Sequence, residues 1–85
     1  MQVELHEQAI TDFDFWKKSG NTAIQKKIEQ LILAILENPF MGIGKPEQLK
    51  YELTGQWSRR INQEHRIVYE VVDGTLHIYS LKGHY

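Results

Sequence analysis

Eighty-five residues with no cysteine and a net charge of −1 make one small domain, residues 1–85, whose single core leaves little spare stability. The missing thiols exclude disulfides, cysteine nucleophiles and the common structural zinc sites, and they suit a reducing cytoplasm. The apolar run from Leu31 to Leu36 is far too short to cross a bilayer and the N-terminus has no signal-peptide pattern, so a cytoplasmic protein without a membrane partner is expected.

In chain order, Val3 and Leu5 alternate with polar neighbours and predict a short strand. From about Glu7 to Lys18, Ala9, Ile10, Phe13 and Trp16 recur at helical spacing until Ser19-Gly20-Asn21 interrupts them. Thr22 with Gln25 fits a capping box and opens a second helix. Its stripe of Ile24, Ile28, Leu31, Ile32, Ile35 and Leu36 runs to Asn38-Pro39. The short link makes the two an antiparallel hairpin. A glycine-containing loop, 40–46, leads to four strand-like runs at 49–53, 57–62, 66–72 and 75–81. The order β-α-α-β-β-β-β predicts an α+β fold, with the helix pair on one face of a mainly antiparallel sheet.

Polarity sets the register, because a one-residue slip turns every side chain over. A three-residue loop at 63–65 pairs Arg60 with Val68. It puts Trp57, Arg59, Ile61, Ile67, Tyr69 and Val71 on the apolar face and leaves Arg60, Arg66 and Glu70 on the open one. Asp73-Gly74 predicts a two-residue type I′ turn that pairs Val72 with Thr75 and Glu70 with His77. The same ladder pairs Arg66 with Leu81 and carries Gly83-His84-Tyr85 to Arg66. A loop over 54–56 brings Glu47 to that end too, with strands about 4.8 Å apart. Glu47, Arg60, Arg66 and His84 are therefore expected to flank a substrate at one edge of the sheet.

A carboxylate, paired guanidiniums and an imidazole can cut a phosphodiester without metal. They supply a base for the nucleophile, cations for the charge that develops on phosphorus, and an acid for the leaving group. The planar guanidinium fork matches phosphate oxygens. The plainer reading of Arg59-Arg60 is a solvated strand face paired with Glu52 and Glu70. On the apolar face, Arg59 is expected to lay its stem over Trp57 and extend its head to water. His6 and His65 read as surface residues, and His77 as the cross-strand partner of Glu70. Four scattered histidines with no H-E-x-x-H spacing give no metal site. Trp16, Phe13 and Trp57 read as core. The pairs Lys17-Lys18 and Lys26-Lys27 read as a solvated helix face, with contact to rRNA phosphates the minority reading. Bulk charge does not suit nucleic acid: residues 1–44 carry four lysines against six carboxylates, and residues 45–85 six cations against five.

The set Gly44-Lys45-Pro46-Glu47, Leu49-Lys50, Trp57-Ser58-Arg59-Arg60-Ile61, Glu64-His65-Arg66, Val68-Tyr69 and His84-Tyr85 resembles the YoeB/Txe branch of the RelE-like toxins of bacterial toxin–antitoxin systems. The resemblance spans nearly the whole chain. It implies an mRNA interferase that cleaves mRNA in the ribosomal A site, with ribosome and mRNA as partners. It also implies inhibition by a YefM/Axe-like antitoxin whose disordered C-terminal region folds on the toxin, and a homodimer in some members. By position, Glu47 is then the general base on the ribose 2′-hydroxyl and His84 the general acid. Arg66, with Arg60, stabilises the phosphate, and Tyr85 contacts the nucleotide. Lys50 and Arg59 join the substrate-binding set. No cofactor or metal is implied. Two rival readings are a non-enzymatic inhibitor on the same scaffold, of the gyrase-poisoning kind, and a plain RNA-binding module. The first expects Glu47 and His84 to be dispensable.

Overall fold

A computed structural model of the chain describes residues 1–83, so the roles expected of His84 and Tyr85 lie outside the described residues. Strand β1 (Gln2–Leu5) leads directly into helix α1 (Glu7–Ser19), which stops where Gly20 turns left-handed at φ 73°. Helix α2 (Thr22–Glu37) starts one residue earlier than the capping box implied. Asn21 is the cap, its Oδ1 accepting from Ile24 N at 3.1 Å. Gln25 instead reaches back across the link to donate to the Trp16 carbonyl at 2.9 Å.

The sheet comprises β1, β2 (Glu47–Gln48), β3 (Trp57–Arg60), β4 (Arg66–Val72) and β5 (Thr75–Ser80), in the order β1-β5-β4-β3-β2. Strand β1 runs parallel to β5, and every other neighbouring pair is antiparallel. The architecture is the expected helix pair on a mainly antiparallel sheet. Ala9 and Trp16 from α1, and Ile24, Ile28, Leu31 and Ile35 from α2, pack on Ile61, Ile67, Tyr69, Leu76, Ile78 and Leu81. Phe13 departs from expectation. It is 37% exposed on the rim of the helix pair, with the Lys17 ammonium 5.6 Å from its ring centroid.

Three register predictions need correction. The expected strand at 49–53 is a 3₁₀ turn over Tyr51–Leu53, because Tyr51 adopts φ 59° and bends the chain out of the sheet. Arg60 pairs with Arg66 rather than Val68. That is a slip of two residues, which lengthens the loop but keeps each side chain on its predicted face. In the β4–β5 pair, Val72 with Thr75 and Glu70 with His77 hold as predicted, and Asp73 and Gly74 take the positive φ values of a type I′ turn. A bulge at Val68/Tyr69 then moves the lower half by one residue, so Val68 faces Ser80. The open face is less open than its polarity suggests, since Ser58 and Val68 are buried.

Tyr69 ties the core to the α2–β2 connection. Its hydroxyl donates to the Pro39 carbonyl at 2.6 Å and accepts from Arg59 Nε at 3.1 Å. Burial raises its pKa above the ordinary 10.0, against the opposing pull of the Arg59 guanidinium. As the pH climbs past about 10, the unfolded chain releases this proton before the folded one does. Stability should then fall with rising pH until the folded pKa is passed. Tyr69→Phe should flatten that alkaline slope in pH-dependent urea unfolding, while costing about 1–2 kcal/mol at pH 7 by orphaning its two partners. An unchanged slope would show that Tyr69 does not titrate late.

Candidate active site

The site is built where the 38–46 connection meets β3. Gly44 lies against that strand with φ 86°, and its carbonyl accepts from Arg60 N. A Cβ there would meet Leu31 Cδ2 at 2.8 Å and Arg59 Cβ at 3.0 Å, so only glycine lets the chain pass so close. That approach delivers Lys45-Pro46-Glu47 to the sheet, and Glu47 pairs with Ser58.

Glu47 and Arg66 stand on strands separated by β3, yet their side chains reach over it. Glu47 Oε2 lies 3.9 Å from Arg66 Nη1, with the Glu47 side chain 66% exposed and that of Arg66 17% exposed. From the sequence, these groups are expected to flank a substrate without touching. At this distance they form a loose ion pair that an incoming phosphate can separate.

The C-terminal segment comes to the same point. Arg66 N donates to the Gly83 carbonyl at 2.8 Å, and Gly83 N donates to His65 Nδ1 at 2.9 Å. One step earlier, Asp12 Oδ2 accepts from Leu81 N at 2.9 Å and Trp16 Nε1 donates to the Leu81 carbonyl at 2.8 Å. Helix α1 therefore grips both backbone groups of Leu81. The His65 ring stands edge-on to Trp16, with centroids 4.8 Å apart. His65 is thus no surface histidine but an anchor for the last described residue. Sequence reasoning missed both Asp12 and His65. The signal for Asp12 was its place on the apolar stripe between Ala9 and Trp16, where an unpartnered carboxylate would be costly.

Two of the substrate-binding positions fall elsewhere. Arg59 is fully buried, and its head does not reach water. Nη1 donates to the Ile43 carbonyl, Nη2 to those of Asn38 and Met41, and Nε to Tyr69. These bonds occupy the guanidinium in holding the connection to Glu47. Lys50 is exposed at the entry to the 3₁₀ turn, and no described contact joins it to Glu47 or Arg66. Arg60 is exposed and lines a shallow groove with Lys27, Lys45 and Asn62. Lys27 thereby becomes a cation of the site's border rather than of a distant helix face.

The arrangement has a carboxylate at the rim, a guanidinium beside it, a cationic groove alongside, and Gly83 hydrogen-bonded to the Arg66 backbone. The family model for the YoeB-like toxin of bacterial type II toxin–antitoxin systems matches residues 5–85. The chain belongs to the YoeB-like toxin family. A toxin named YoeB from Synechocystis is 46% identical over 85 residues, covering 100% of this chain and 98% of that protein. Among solved structures, a YoeB/ParE toxin from Agrobacterium tumefaciens superposes with a TM-score of 0.95 at 37% identity, covering 100% of both chains. The Staphylococcus aureus YoeB in complex with YefM gives 0.90 at 44% identity, covering 100% of this chain and 98% of that one. A YoeB from Staphylococcus aureus is also known as a dimer, with a TM-score of 0.91 at 43% identity, covering 100% of this chain and 98% of that one. As a YoeB-family member, this chain is a toxin of a type II toxin–antitoxin system.

Proposed function

We propose that this YoeB-family toxin is a ribosome-dependent endoribonuclease that cuts mRNA in the A site without a metal. The observation that carries the reading is the Glu47–Arg66 contact of 3.9 Å at the rim, with Gly83 hydrogen-bonded to the Arg66 backbone. His84 is the residue that follows Gly83. In the reaction, the Glu47 carboxylate takes the proton of the ribose 2′-hydroxyl, and that oxygen attacks the adjacent phosphorus. Arg66, released from Glu47, binds the phosphoryl oxygens as negative charge builds on them. His84 gives a proton to the departing 5′-oxygen, leaving a cyclic phosphate end. Tyr85 contacts the nucleotide. Arg60, Lys45 and Lys27 track flanking phosphates. Arg59 acts indirectly, by fixing the connection that presents Glu47.

The chain's near-neutral charge supports dependence on the ribosome, since a chain of net charge −1 holds mRNA weakly by itself. Its natural inhibitor is a YefM-type antitoxin and it forms a homodimer, by likeness to the Staphylococcus aureus relative. It works in the cytoplasm, where ribosomes translate. The test is a translation extract programmed with a defined mRNA and read by primer extension. Cuts at the A-site codon on translating ribosomes, and none on free mRNA, are expected. Intact mRNA on translating ribosomes would overturn the nuclease reading. Equal cutting of free mRNA would overturn ribosome dependence.

A further inference from the structure

At the opposite edge of the sheet, the parallel β1–β5 pairing brings together residues that the sequence scatters. Glu4 pairs with His77, which sets both side chains on the same face. Leu76 and Ile78 point the other way, into the core. His6 caps α1 without a side-chain capping bond, and its ring turns onto the sheet instead. His6 Nε2 lies 2.9 Å from His77 Nδ1, and Glu4 Oε2 lies 3.7 Å from the same His77 nitrogen. The three ligand atoms fall within 4.8 Å of one another. Tyr79 backs the pair: it stacks on His77 and contacts His6 at a centroid distance of 4.6 Å, while its hydroxyl donates to Glu70.

We propose that Glu4, His6 and His77 form a binding site for a late first-row divalent metal ion such as zinc or nickel. Two imidazole nitrogens and one carboxylate oxygen are the donor set such ions prefer. With metal–nitrogen bonds of about 2.0–2.1 Å, nitrogens about 3 Å apart subtend a near-right angle at the ion. Each ring must then turn its lone pair about 45° off the line joining the two nitrogens, and the ion takes the place of the shared imidazole proton. The site leaves outer coordination positions to water, and it stitches β1 and the start of α1 to β5. Magnesium is excluded by its preference for oxygen ligands. The site lies at the far end of the strand order from Glu47, so it stands or falls independently of the nuclease reading.

The test uses untagged full-length protein, because tag imidazoles would compete, and calorimetric titration with zinc chloride in chelator-free buffer. One zinc per chain is expected, with no heat from magnesium chloride. His6→Gln and His77→Gln should each weaken zinc binding by roughly tenfold or more, and Glu4→Gln by a smaller factor. Zinc at a hundredfold excess over its Kd should raise the Tm by roughly 10–20 °C in the parent and by much less in the histidine variants. Circular dichroism checks that each variant folds, and Glu4→Gln keeps the test open if a histidine variant does not. The proposal is overturned by no zinc binding, or by affinity that survives substitution of both histidines and Glu4.

Discussion

Arg59→Leu is expected to destabilise the domain by about 3–5 kcal/mol, the cost of breaking a buried charged network. A chain of this length has on the order of 10 kcal/mol or less in total, so much of the folded margin would go. Arg59 is fully buried, and its described partners are three backbone carbonyls and the Tyr69 hydroxyl, with no carboxylate among them. What compensates the charge is dipolar. Asn38 is the C-cap of α2, so the guanidinium sits at the negative end of that helix. Leucine replaces the stem but leaves the Asn38, Met41 and Ile43 carbonyls to find water, and the connection that presents Glu47 loosens. Arg59→Lys should recover little, because a point charge cannot satisfy four partners spread around a planar fork. Urea unfolding measures both variants. A loss below about 1 kcal/mol at unchanged m-value would show that Arg59 is not the pin of this connection.

Glu47→Ala and His84→Gln should each lower the single-turnover cleavage rate on programmed ribosomes by about 10²–10⁴-fold. The double variant should be little worse than either single one, because in the proposed reaction base and acid serve one displacement and their effects do not add. Folding should survive Glu47→Ala, since that side chain is 66% exposed and its only described ion pair is the loose one with Arg66. An unchanged urea midpoint would therefore assign the rate loss to chemistry. Rates within roughly threefold of the parent for both single variants would remove Glu47 and His84 from the proposed reaction.

Much of this geometry was legible because it depends on parity and turn chemistry. Asp73-Gly74 has the backbone freedom that a type I′ turn demands, and it fixed Val72 opposite Thr75. Alternation placed Arg66 and Glu70 on one face and Tyr69 and Ile67 on the other even though the β3–β4 loop was misjudged, because a slip of two preserves parity. Alternation is blind to where a strand stops. Leu49, Tyr51 and Leu53 keep strand periodicity, yet Tyr51 takes a positive φ and the chain leaves the sheet. Arg59 misled for another reason. A cation at a core position is ordinarily taken to extend its head to water, but its acceptors here are carbonyls 16 to 21 residues earlier in the chain. No local pattern announces them. The same holds for His6 and His77, 71 residues apart and joined only by the parallel strand pair.

The most direct test of the central claim, that Glu47 and Arg66 serve an attack by the ribose 2′-oxygen, is a chemical change in the substrate. An mRNA with a single 2′-deoxy nucleotide on the 5′ side of the cleaved linkage would be placed in the A site of programmed ribosomes and treated with the toxin. This linkage should stay intact while the all-ribose control is cut. Cleavage of the deoxy-substituted linkage at the control rate would contradict the claim, because the nucleophile would then have to be something other than the 2′-hydroxyl.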